Sequence, residues 1–287
     1  MVAAWLSGGS VAERGSVNGR LRLDDVAGFM FDVDGTLLHR GPDGRGRPQP
    51  GAVELLERIR ASGRPLVLFT NASHVPSSTV AAGLRADGLH VADDEVLTPT
   101  DSAIAFLTRR HPDVPVVLFA SSSIHERFAA AGLEATADED GGVVFVAHLD
   151  HVDLTEVERA ARAIARGAPF FTASYVRGYA GGNGMIYSRG AMITAAIAKV
   201  SGVRPRVLGK PSHAAVRALE GRLGVPAHRL AVIGDDLGMD IALGLMGRSR
   251  TVLVRSGISG GLSLADIPVR KRPDAVVDSV ADLLPVL

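Results

Sequence analysis

The sequence predicts an α/β protein built on parallel sheets. Short apolar runs alternate with stretches of helical spacing along most of the 287 residues. Because strands that alternate with helices are joined by right-handed crossovers, this order favours parallel sheets with helices packed on their faces. A chain of this length buries about 75% of its unfolded surface, which is enough for one or two hydrophobic cores. No internal repeat or long linker is visible, so a second domain would have to be an insertion.

The predicted elements follow residues 1–24, which mix small and charged side chains without a period and are expected to form a mobile extension. Beyond them, apolar runs predict buried strands and helical spacing predicts helices. Strands are predicted at Val26–Phe31, Pro65–Phe69, Val114–Phe119, Val143–Val146, Pro169–Thr172, Leu230–Ile233 and Thr251–Val254. Helices are predicted at Ala52–Arg60, Pro76–Ala86, Ile124–Ala131, Leu154–Arg166, Ala191–Val200, Ala214–Leu223, Met239–Leu245 and Asp278–Leu284, with a glycine-rich loop at Arg177–Gly184.

The composition excludes several kinds of protein. The formal net charge is zero, so the chain lacks the basic balance typical of nucleic-acid and anionic-membrane binding. Cysteine is absent, which excludes disulfides, thiolate zinc sites and a thiol nucleophile. No apolar run approaches the roughly 20 residues of a membrane span. We therefore expect a soluble, cytoplasmic protein that binds neither nucleic acid nor membrane.

The strongest chemical signal is FDVDGT at Phe31–Thr36. Asp32 and Asp34 directly follow a predicted strand, and their spacing places both carboxylates on one side of an extended chain. Ligands of open α/β sheets bind at the carboxyl ends of the strands. Two carboxylates this close repel each other unless a cation lies between them or one is protonated. The alternative is turn chemistry at Asp34-Gly35.

Two weaker signals occur further along the chain. Thr70-Asn71 follows the second predicted strand, where hydroxyl and backbone N–H groups can hold phosphate oxygens, although such a pair is also a common turn or helix cap. Lys210 lies in Gly209-Lys210-Pro211-Ser212, and an ammonium suits a transferring phosphoryl group. Lysine is scarce here, with only three among 31 basic residues, which favours a function for Lys210 over a surface lysine beside a helix cap.

The fourth signal is Gly234-Asp235-Asp236, with Asp240 one helical turn onward. These carboxylates again follow a predicted buried strand. Magnesium prefers oxygen ligands and takes one or two protein carboxylates together with water and phosphate. The alternative for Asp236 and Asp240 is a pair of acidic residues favoured by a helix N-terminus.

In this order, FDVDGT, FTN, GKP and GDD-x3-D resemble the four motifs of the haloacid dehalogenase superfamily. LTPTDSAIAFL at Leu97–Leu107 and TVLVRSGIS at Thr251–Ser259 are similar to segments of its NagD-like, class IIA branch. The resemblance implies a Rossmann-like three-layer core with a parallel sheet, formed by residues 25–102 and 187–287. It also implies an inserted α/β cap domain at residues 103–186.

The resemblance further implies a Mg²⁺-dependent phosphatase that transfers phosphate from a small-molecule phosphomonoester to Asp32. Asp32 would be the nucleophile and a metal ligand, Asp34 the general acid/base whose backbone carbonyl also binds the metal, and Asp235 a further metal ligand. The resemblance implies phosphate binding by Thr70, Asn71 and Lys210, of which Thr70 and Lys210 are also catalytic. It implies that Asp236 and Asp240 support the metal or Lys210.

The sequence departs from the branch in the predicted cap. Class IIA caps often read Thr-Asn-Pro-Asp near the substrate, whereas this chain has Thr172-Ala173-Ser174-Tyr175 and a longer, glycine-rich loop. Candidate specificity contacts are Tyr175, Arg177, Tyr179 and Asn183. Arg177 could pair with a second anionic group such as a carboxylate, and a solvated loop arginine is the alternative.

Other functions remain open from the sequence. A phosphomutase or phosphotransferase of the same superfamily would protect the aspartyl phosphate from water and return it to a bound sugar. A receiver-like signalling module also uses aspartate, magnesium, threonine and lysine, but it is far shorter than this chain. A non-catalytic phosphate-binding protein is a third alternative. A homodimer through the cap is left open.

Overall fold

The computed structural model describes residues 22–41, 43–138, 142–181 and 184–287. The strands are β1 (Gly28–Phe31), β2 (Leu38–Arg40), β3 (Gly46–Pro48), β4 (Leu66–Phe69), β5 (Val96–Leu97), β6 (Val116–Phe119), β7 (Val143–Val146), β8 (Phe170–Thr172), β9 (Gly178–Gly181), β10 (Gly184–Tyr187), β11 (Arg206–Val207), β12 (Leu230–Gly234), β13 (Arg250–Val254) and β14 (Ala275–Val277). The α-helices are α1 (Ala52–Ala61), α2 (Ser77–Ala86), α3 (Pro99–Arg110), α4 (Ser122–Ala130), α5 (Leu154–Ala165), α6 (Arg189–Ser201), α7 (His213–Leu223) and α8 (Ala242–Gly247). Short 3-10 helices lie at Asp93–Glu95, Ala227–Arg229, Leu264–Asp266, Val269–Lys271 and Val280–Val286, and a π-helical turn lies at Leu237–Ile241.

The first sheet is parallel throughout and has the strand order β14-β13-β12-β1-β4-β5. Every residue of β1, β4 and β12 is buried, because helices cover both faces and each strand is a continuous apolar run. One face packs against α1 through Leu55 and Ile59. The other face packs against α7 and α8 through Leu219 and Leu243.

The second sheet is also parallel, with the order β11-β8-β7-β6. Helices α3 and α4 cover one face through Leu107 and Phe128, and α5 and α6 cover the other through Val157 and Ile197. The predicted α/β class with parallel sheets is thus confirmed. This sheet reaches Arg206–Val207, beyond the predicted insertion at 103–186, and the domain limits stay a prediction.

Several local predictions differ from the structure. The predicted loop at Arg177–Gly184 is wrong for Gly178–Gly181, which forms β9 and pairs antiparallel with β10. Helix α3 was not predicted, although Thr98 caps it by accepting the Asp101 N–H. Residues 1–21 of the predicted extension lie outside the described residues, whereas Leu23 is fully buried and donates its N–H to the Val286 carbonyl.

The second sheet leads directly into the site. Beyond β11, Leu208 donates its N–H to the Thr172 carbonyl, and Gly209 donates to the Ala173 carbonyl. Two residues therefore separate the last strand of this sheet from Lys210. No helix in the described parts of the chain is both long enough and apolar enough to cross a bilayer.

Candidate active site

Lys210 lies at the centre of the site. Its side chain is fully buried, and its Nζ donates to Asp32 Oδ1 at 2.6 Å and to Asp240 Oδ1 at 2.8 Å. Asp32 directly follows β1 and donates its N–H to the Ile233 carbonyl of β12. The alternative of a surface lysine beside a helix cap is wrong, because the Lys210 side chain is fully buried, although Ser212 does cap α7 by accepting the Ala215 N–H.

Three carboxylates converge beside this lysine. Ligand oxygens of Asp32, Asp235 and Asp240 all lie within 4.8 Å of one another, and all three residues are buried. Asp235 follows β12 directly, and Asp240 lies in the π-helical turn after it. Gly234 permits this packing, because a Cβ there would collide with the Asp240 carboxylate. Two strand ends and one turn thus bring together residues that are far apart in the sequence.

The ionisation of these groups is set by burial and by their neighbours. Burial and the nearby Asp32 raise the pKa of Asp235 to about 7. Burial also raises the pKa of Asp240, although Lys210 opposes this. Burial alone lowers the pKa of Lys210, but Asp240 and Asp32 outweigh that effect and hold it above its usual value. Lys210 is therefore charged, and its single positive charge cannot neutralise three carboxylates.

Asp34 lies at the edge of the same cluster. Its carboxylate accepts a 2.6 Å hydrogen bond from Arg40 Nε of the β2–β3 hairpin. About half of its side-chain surface is exposed, yet the surrounding protein desolvates the carboxyl and raises its pKa, an effect that Arg40 opposes. This raised pKa is what a group that both gives and takes a proton requires.

Thr70 and Asn71 follow β4 beside the lysine. Lys210 Nζ lies 5.4 Å from the centroid of the Phe69 ring, immediately before Thr70. Thr70 Oγ1 accepts the Ala72 N–H, so the predicted turn chemistry is present. Asn71 Oδ1 is buried and has no hydrogen-bond partner among the described residues, which leaves it available to a ligand.

Asp236 is not part of the central cluster. Its Oδ1 accepts the Gly238 and Met239 N–H groups, so it caps the π-helical turn. Its own N–H donates to Asp240 Oδ2, which fixes the carboxylate that meets Lys210. The alternative of a helix-end carboxylate therefore describes Asp236, whereas Asp240 contacts the lysine directly.

Several residues that shape the site were not predicted. Ile258 donates its N–H to Asp235 Oδ2 at 2.7 Å, and Ser259 donates its N–H to the Asp235 carbonyl. Gly35 and Gly257 also lie close to Asp235, because a Cβ at either position would collide with its carboxylate. The signal for this loop was the TVLVRSGIS segment, which ends at Ser259. These contacts hold Asp235 in one position.

The arrangement fits a divalent cation. All three converging donors are carboxylates, which hard cations such as Mg²⁺ prefer. Lys210 contacts Asp32 through Oδ1, whereas among the described residues Asp32 Oδ2 accepts a hydrogen bond from Thr36 Oγ1 alone, at 3.5 Å. A carboxylate oxygen of Asp235 lies within 4.8 Å of one of Asp32. Excess negative charge and oriented oxygens together are the properties that such an ion requires.

The predicted specificity residues that the structure describes follow β8 in the chain. Tyr175 and Arg177 are exposed in the segment between β8 and β9. Tyr179 lies in β9, with its side chain outside the described part, and Asn183 lies outside the described residues. For the described side chains of Tyr175 and Arg177 no hydrogen bond or ion pair with Lys210 is present, and the role of all four residues stays a prediction.

Comparison with known proteins identifies the family. Residues 29–134 match the family described as haloacid dehalogenase-like hydrolase, and residues 207–283 match one described as HAD-hydrolase-like. The ribonucleotide monophosphatase NagD of Escherichia coli strain K12 is 30% identical over 261 residues, which are 90% of this chain and 98% of that protein.

Solved structures share the architecture. A 4-nitrophenylphosphatase from Thermotoga maritima is 25% identical and superposes with a TM-score of 0.82, covering 92% of this chain and 99% of its own. A glycerol phosphate phosphatase from Mycobacterium tuberculosis, solved with magnesium, covers 91% of this chain and 77% of its own with a TM-score of 0.80. At 23% identity, this second likeness shows the fold alone.

The chain belongs to the haloacid dehalogenase-like hydrolases, because its likeness to the NagD phosphatase extends over 90% of its length. Within them it is a NagD-like phosphatase, a hydrolase of phosphoric monoesters.

Proposed function

We propose that the chain is a Mg²⁺-dependent phosphatase that hydrolyses a small-molecule phosphomonoester through an aspartyl phosphate on Asp32. The observation that carries this proposal is the contact of one buried ammonium, Lys210, with both Asp32 and Asp240, beside the fixed carboxylate of Asp235. A buried carboxylate can approach a phosphate dianion only where a nearby cation offsets the negative charges of both groups.

The first step forms a bond between Asp32 and phosphorus. The carboxylate attacks, the ester P–O bond breaks, and Asp34 donates its proton to the leaving alkoxide oxygen. Lys210 offsets charge on the transferring group, and Thr70 and Asn71 orient its oxygens. Asp32, Asp235 and the Asp34 carbonyl would hold Mg²⁺, which would supply further positive charge to offset the negative charge of the transferring group.

The second step releases phosphate. Asp34, now a carboxylate, takes a proton from a water molecule. The oxygen of that water attacks phosphorus, and the bond between phosphorus and Asp32 breaks. The hairpin that carries Arg40 keeps this acid/base group in place, because the Arg40–Asp34 hydrogen bond fixes the carboxylate orientation. Asp34 ends the cycle protonated, as it began.

The test is the Asp32→Asn variant. Its turnover on 4-nitrophenyl phosphate with Mg²⁺ should fall at least ~10³-fold, because an amide is a far weaker nucleophile than a carboxylate. Asp153→Asn is the matched control: Asp153 caps α5 on the second sheet, and asparagine caps equally well. Turnover of Asp32→Asn within tenfold of the wild type would refute the assignment.

A phosphomutase is separated from a phosphatase by the product. The proposed enzyme releases inorganic phosphate in proportion to substrate consumed, without a bisphosphate activator. Phosphate release that requires such an activator, with transfer to a second hydroxyl of the sugar, would favour the mutase.

Adding EDTA should abolish release and lower the thermal unfolding temperature, and excess Mg²⁺ should restore both.

A further inference from the structure

Asp101 is a buried carboxylate that lies outside the cluster around Lys210. It is the third residue of α3, and only 6% of its side-chain surface is exposed. The proposed mechanism does not use it. Because burial of a charged group is costly unless partners compensate it, the partners of Asp101 indicate what the carboxylate is for.

The two oxygens of Asp101 have different partners. Oδ2 accepts the Thr98 N–H at 2.9 Å and the Thr98 hydroxyl at 2.8 Å, which closes the first turn of α3. Oδ1 accepts hydrogen bonds from Arg127 Nη2 of α4 and, at 3.5 Å, from Ser77 Oγ of α2. Helix α2 packs on the first sheet, whereas α4 packs on the second. One carboxylate therefore ties the start of α3 to helices of both sheets.

The start of α3 also contacts the segments that carry two proposed phosphate-binding residues. Thr70 donates its N–H to the Leu97 carbonyl at 3.2 Å, just ahead of α3. On the other side, Pro99 packs against Gly209, where a Cβ would lie 2.8 Å from the Pro99 Cβ. Gly209 directly precedes Lys210. The start of α3 is therefore a shared support for the Thr70 and Lys210 segments.

A hydrogen bond from the next turn reinforces this support. Ser102 is fully buried, and its hydroxyl donates to the Leu208 carbonyl at 2.6 Å. Leu208 lies two residues before Lys210. A shift of the start of α3 relative to the two sheets would therefore move Lys210 relative to Thr70.

We propose that Asp101 and Arg127 are positioning residues whose ion pair holds the start of α3 between the two sheets. The pair thereby sets the separation of Thr70 and Lys210, and with it the fit of the site to a phosphoryl group. This inference rests on the proposed phosphatase function. A charge-assisted hydrogen bond from a guanidinium is strong and directional, whereas the bonds to Thr98 alone would cap α3 without tying it to α4. Both residues act through the backbone of α3.

The test is a double-mutant cycle of Asp101→Asn, Arg127→Gln and the double variant, assayed with 4-nitrophenyl phosphate. Each single variant should lower kcat about tenfold and raise the inhibition constant of inorganic phosphate by a similar factor, because both quantities depend on the spacing of Thr70 and Lys210. The double variant should lose no more than the worse single variant, since all three break the same ion pair. If Arg127→Gln fails to fold, the double variant, which leaves no buried charge unpaired, carries the test with the same expected losses.

Two further variants separate positioning from a general loss of stability. Arg127→Lys retains the positive charge and should keep kcat within about threefold of the wild type. Arg60→Gln is the matched control, because Arg60 and Glu95 form a comparable, partly buried ion pair at 2.7 Å. Glu95 directly precedes β5, at the opposite end of that strand from α3. Arg60→Gln should lower the unfolding temperature and leave kcat and phosphate inhibition unchanged.

The outcomes distinguish this inference from the function beneath it. Wild-type kcat and phosphate inhibition in the variants of the cycle overturn the positioning role alone. Additive losses in the cycle also overturn it, and so do equal losses in Arg60→Gln, because they indicate independent or general effects. If the wild type releases no phosphate from 4-nitrophenyl phosphate, sugar phosphates or nucleotides, both proposals are overturned.

Discussion

The strands β1 and β12 of the first sheet lead into Asp32 and Asp235, whereas β7 and β8 of the second sheet lead into Ala147-His148 and Ala173-Ser174. Both sheets are parallel and buried between helices. The first sheet ends in buried carboxylates beside Lys210, which pairs with Asp32, whereas Ser174 after the second sheet is buried and uncharged.

This difference shows how one molecule divides its chemistry between two similar sheets. Buried charges are tolerated only where partners compensate them, so they are concentrated at one edge. The other edge holds uncharged polar groups such as Thr172, which is fully buried. We expect changes at the two edges to have different effects, those at the first on turnover and those at the second on substrate affinity and choice.

The largest effect is expected from Lys210→Met. It leaves Asp32 and Asp240 buried without their cation, which should cost about 3–5 kcal/mol of unfolding free energy. Turnover should fall ~10²–10³-fold, because the transferring phosphoryl group loses its fixed positive charge. Urea unfolding and steady-state kinetics measure the two effects. Lys199→Met, at an exposed position in α6, should change stability by no more than about 0.5 kcal/mol.

Gly257→Ala should have the next largest effect. The new Cβ would occupy the position of the Asp235 carboxylate and displace it. A displacement of this kind should lower turnover up to ~10²-fold and weaken Mg²⁺ binding. Enzyme assays at increasing Mg²⁺ concentrations measure the first effect, and isothermal titration calorimetry measures the second. Gly261→Ala is the control, since no atom lies within 4 Å of its Cβ position. Equal behaviour of both variants would contradict the proposed role of Asp235.

A smaller effect concerns pH. The pKa of Asp235 is raised to about 7 from 3.8, so the metal-free folded state binds its proton more tightly than the unfolded state. Its contribution to stability is therefore present below about pH 4 and is lost as pH rises through about 7. Because Mg²⁺ competes with that proton, the apparent affinity for Mg²⁺ should rise about tenfold for each unit by which the pH increases towards 7.

Thermal unfolding at pH 6, 7 and 8 with EDTA or excess Mg²⁺ measures this dependence. The rise in unfolding temperature on adding Mg²⁺ should be larger at pH 8 than at pH 6. In Asp235→Asn the difference should largely disappear. A Mg²⁺ effect of the same size at all three pH values in the wild type would be the contrary result.

The smallest effect is expected where the two sheets' loops meet. The rings of His74 and His148 lie 5.5 Å apart, and Ser121 Oγ donates to the His74 carbonyl. Burial and the neighbouring His148 lower the pKa of His74, so the contact is stable above its ordinary pKa and is weakened as pH falls below it.

The KM should therefore rise several-fold between pH 7.5 and 5.5, and less in His74→Asn. His228→Asn, at an exposed position beside β12, is the control and should retain the wild-type dependence. A change in kcat rather than KM would place the effect at the first sheet, against the division described above.

Most elements of the fold could be predicted from the sequence, because their buried residues form apolar or periodic patterns. The strand Val143–Val146 was predicted with its observed limits, and Leu154–Arg166 was within one residue of α5, because both have a clear periodic or apolar pattern. Strand β11 could not be found this way. Arg206–Val207 is short and mostly exposed, and it is a strand only because it pairs with β8.

The candidate site divides in the same manner. Asp32, Lys210, Asp235 and Asp240 follow strands or begin helices in a recognisable order, and the structure brings them together. Gly257 and Ile258 could not be identified from the sequence, because their importance depends on a close approach between loops and on a backbone hydrogen bond to Asp235. Such properties arise only from tertiary contacts.

The short passage from β11 to Lys210 limits how this enzyme could be rebuilt. Only Leu208 and Gly209 lie between the strand and the lysine, and both donate backbone hydrogen bonds to the segment at Thr172–Ala173. A transplanted second sheet would therefore have to bring its own final strand in the same register. Exchange of the whole second sheet up to Gly209 should shift the Lys210 ammonium, whereas a graft confined to residues 174–188 should preserve its position.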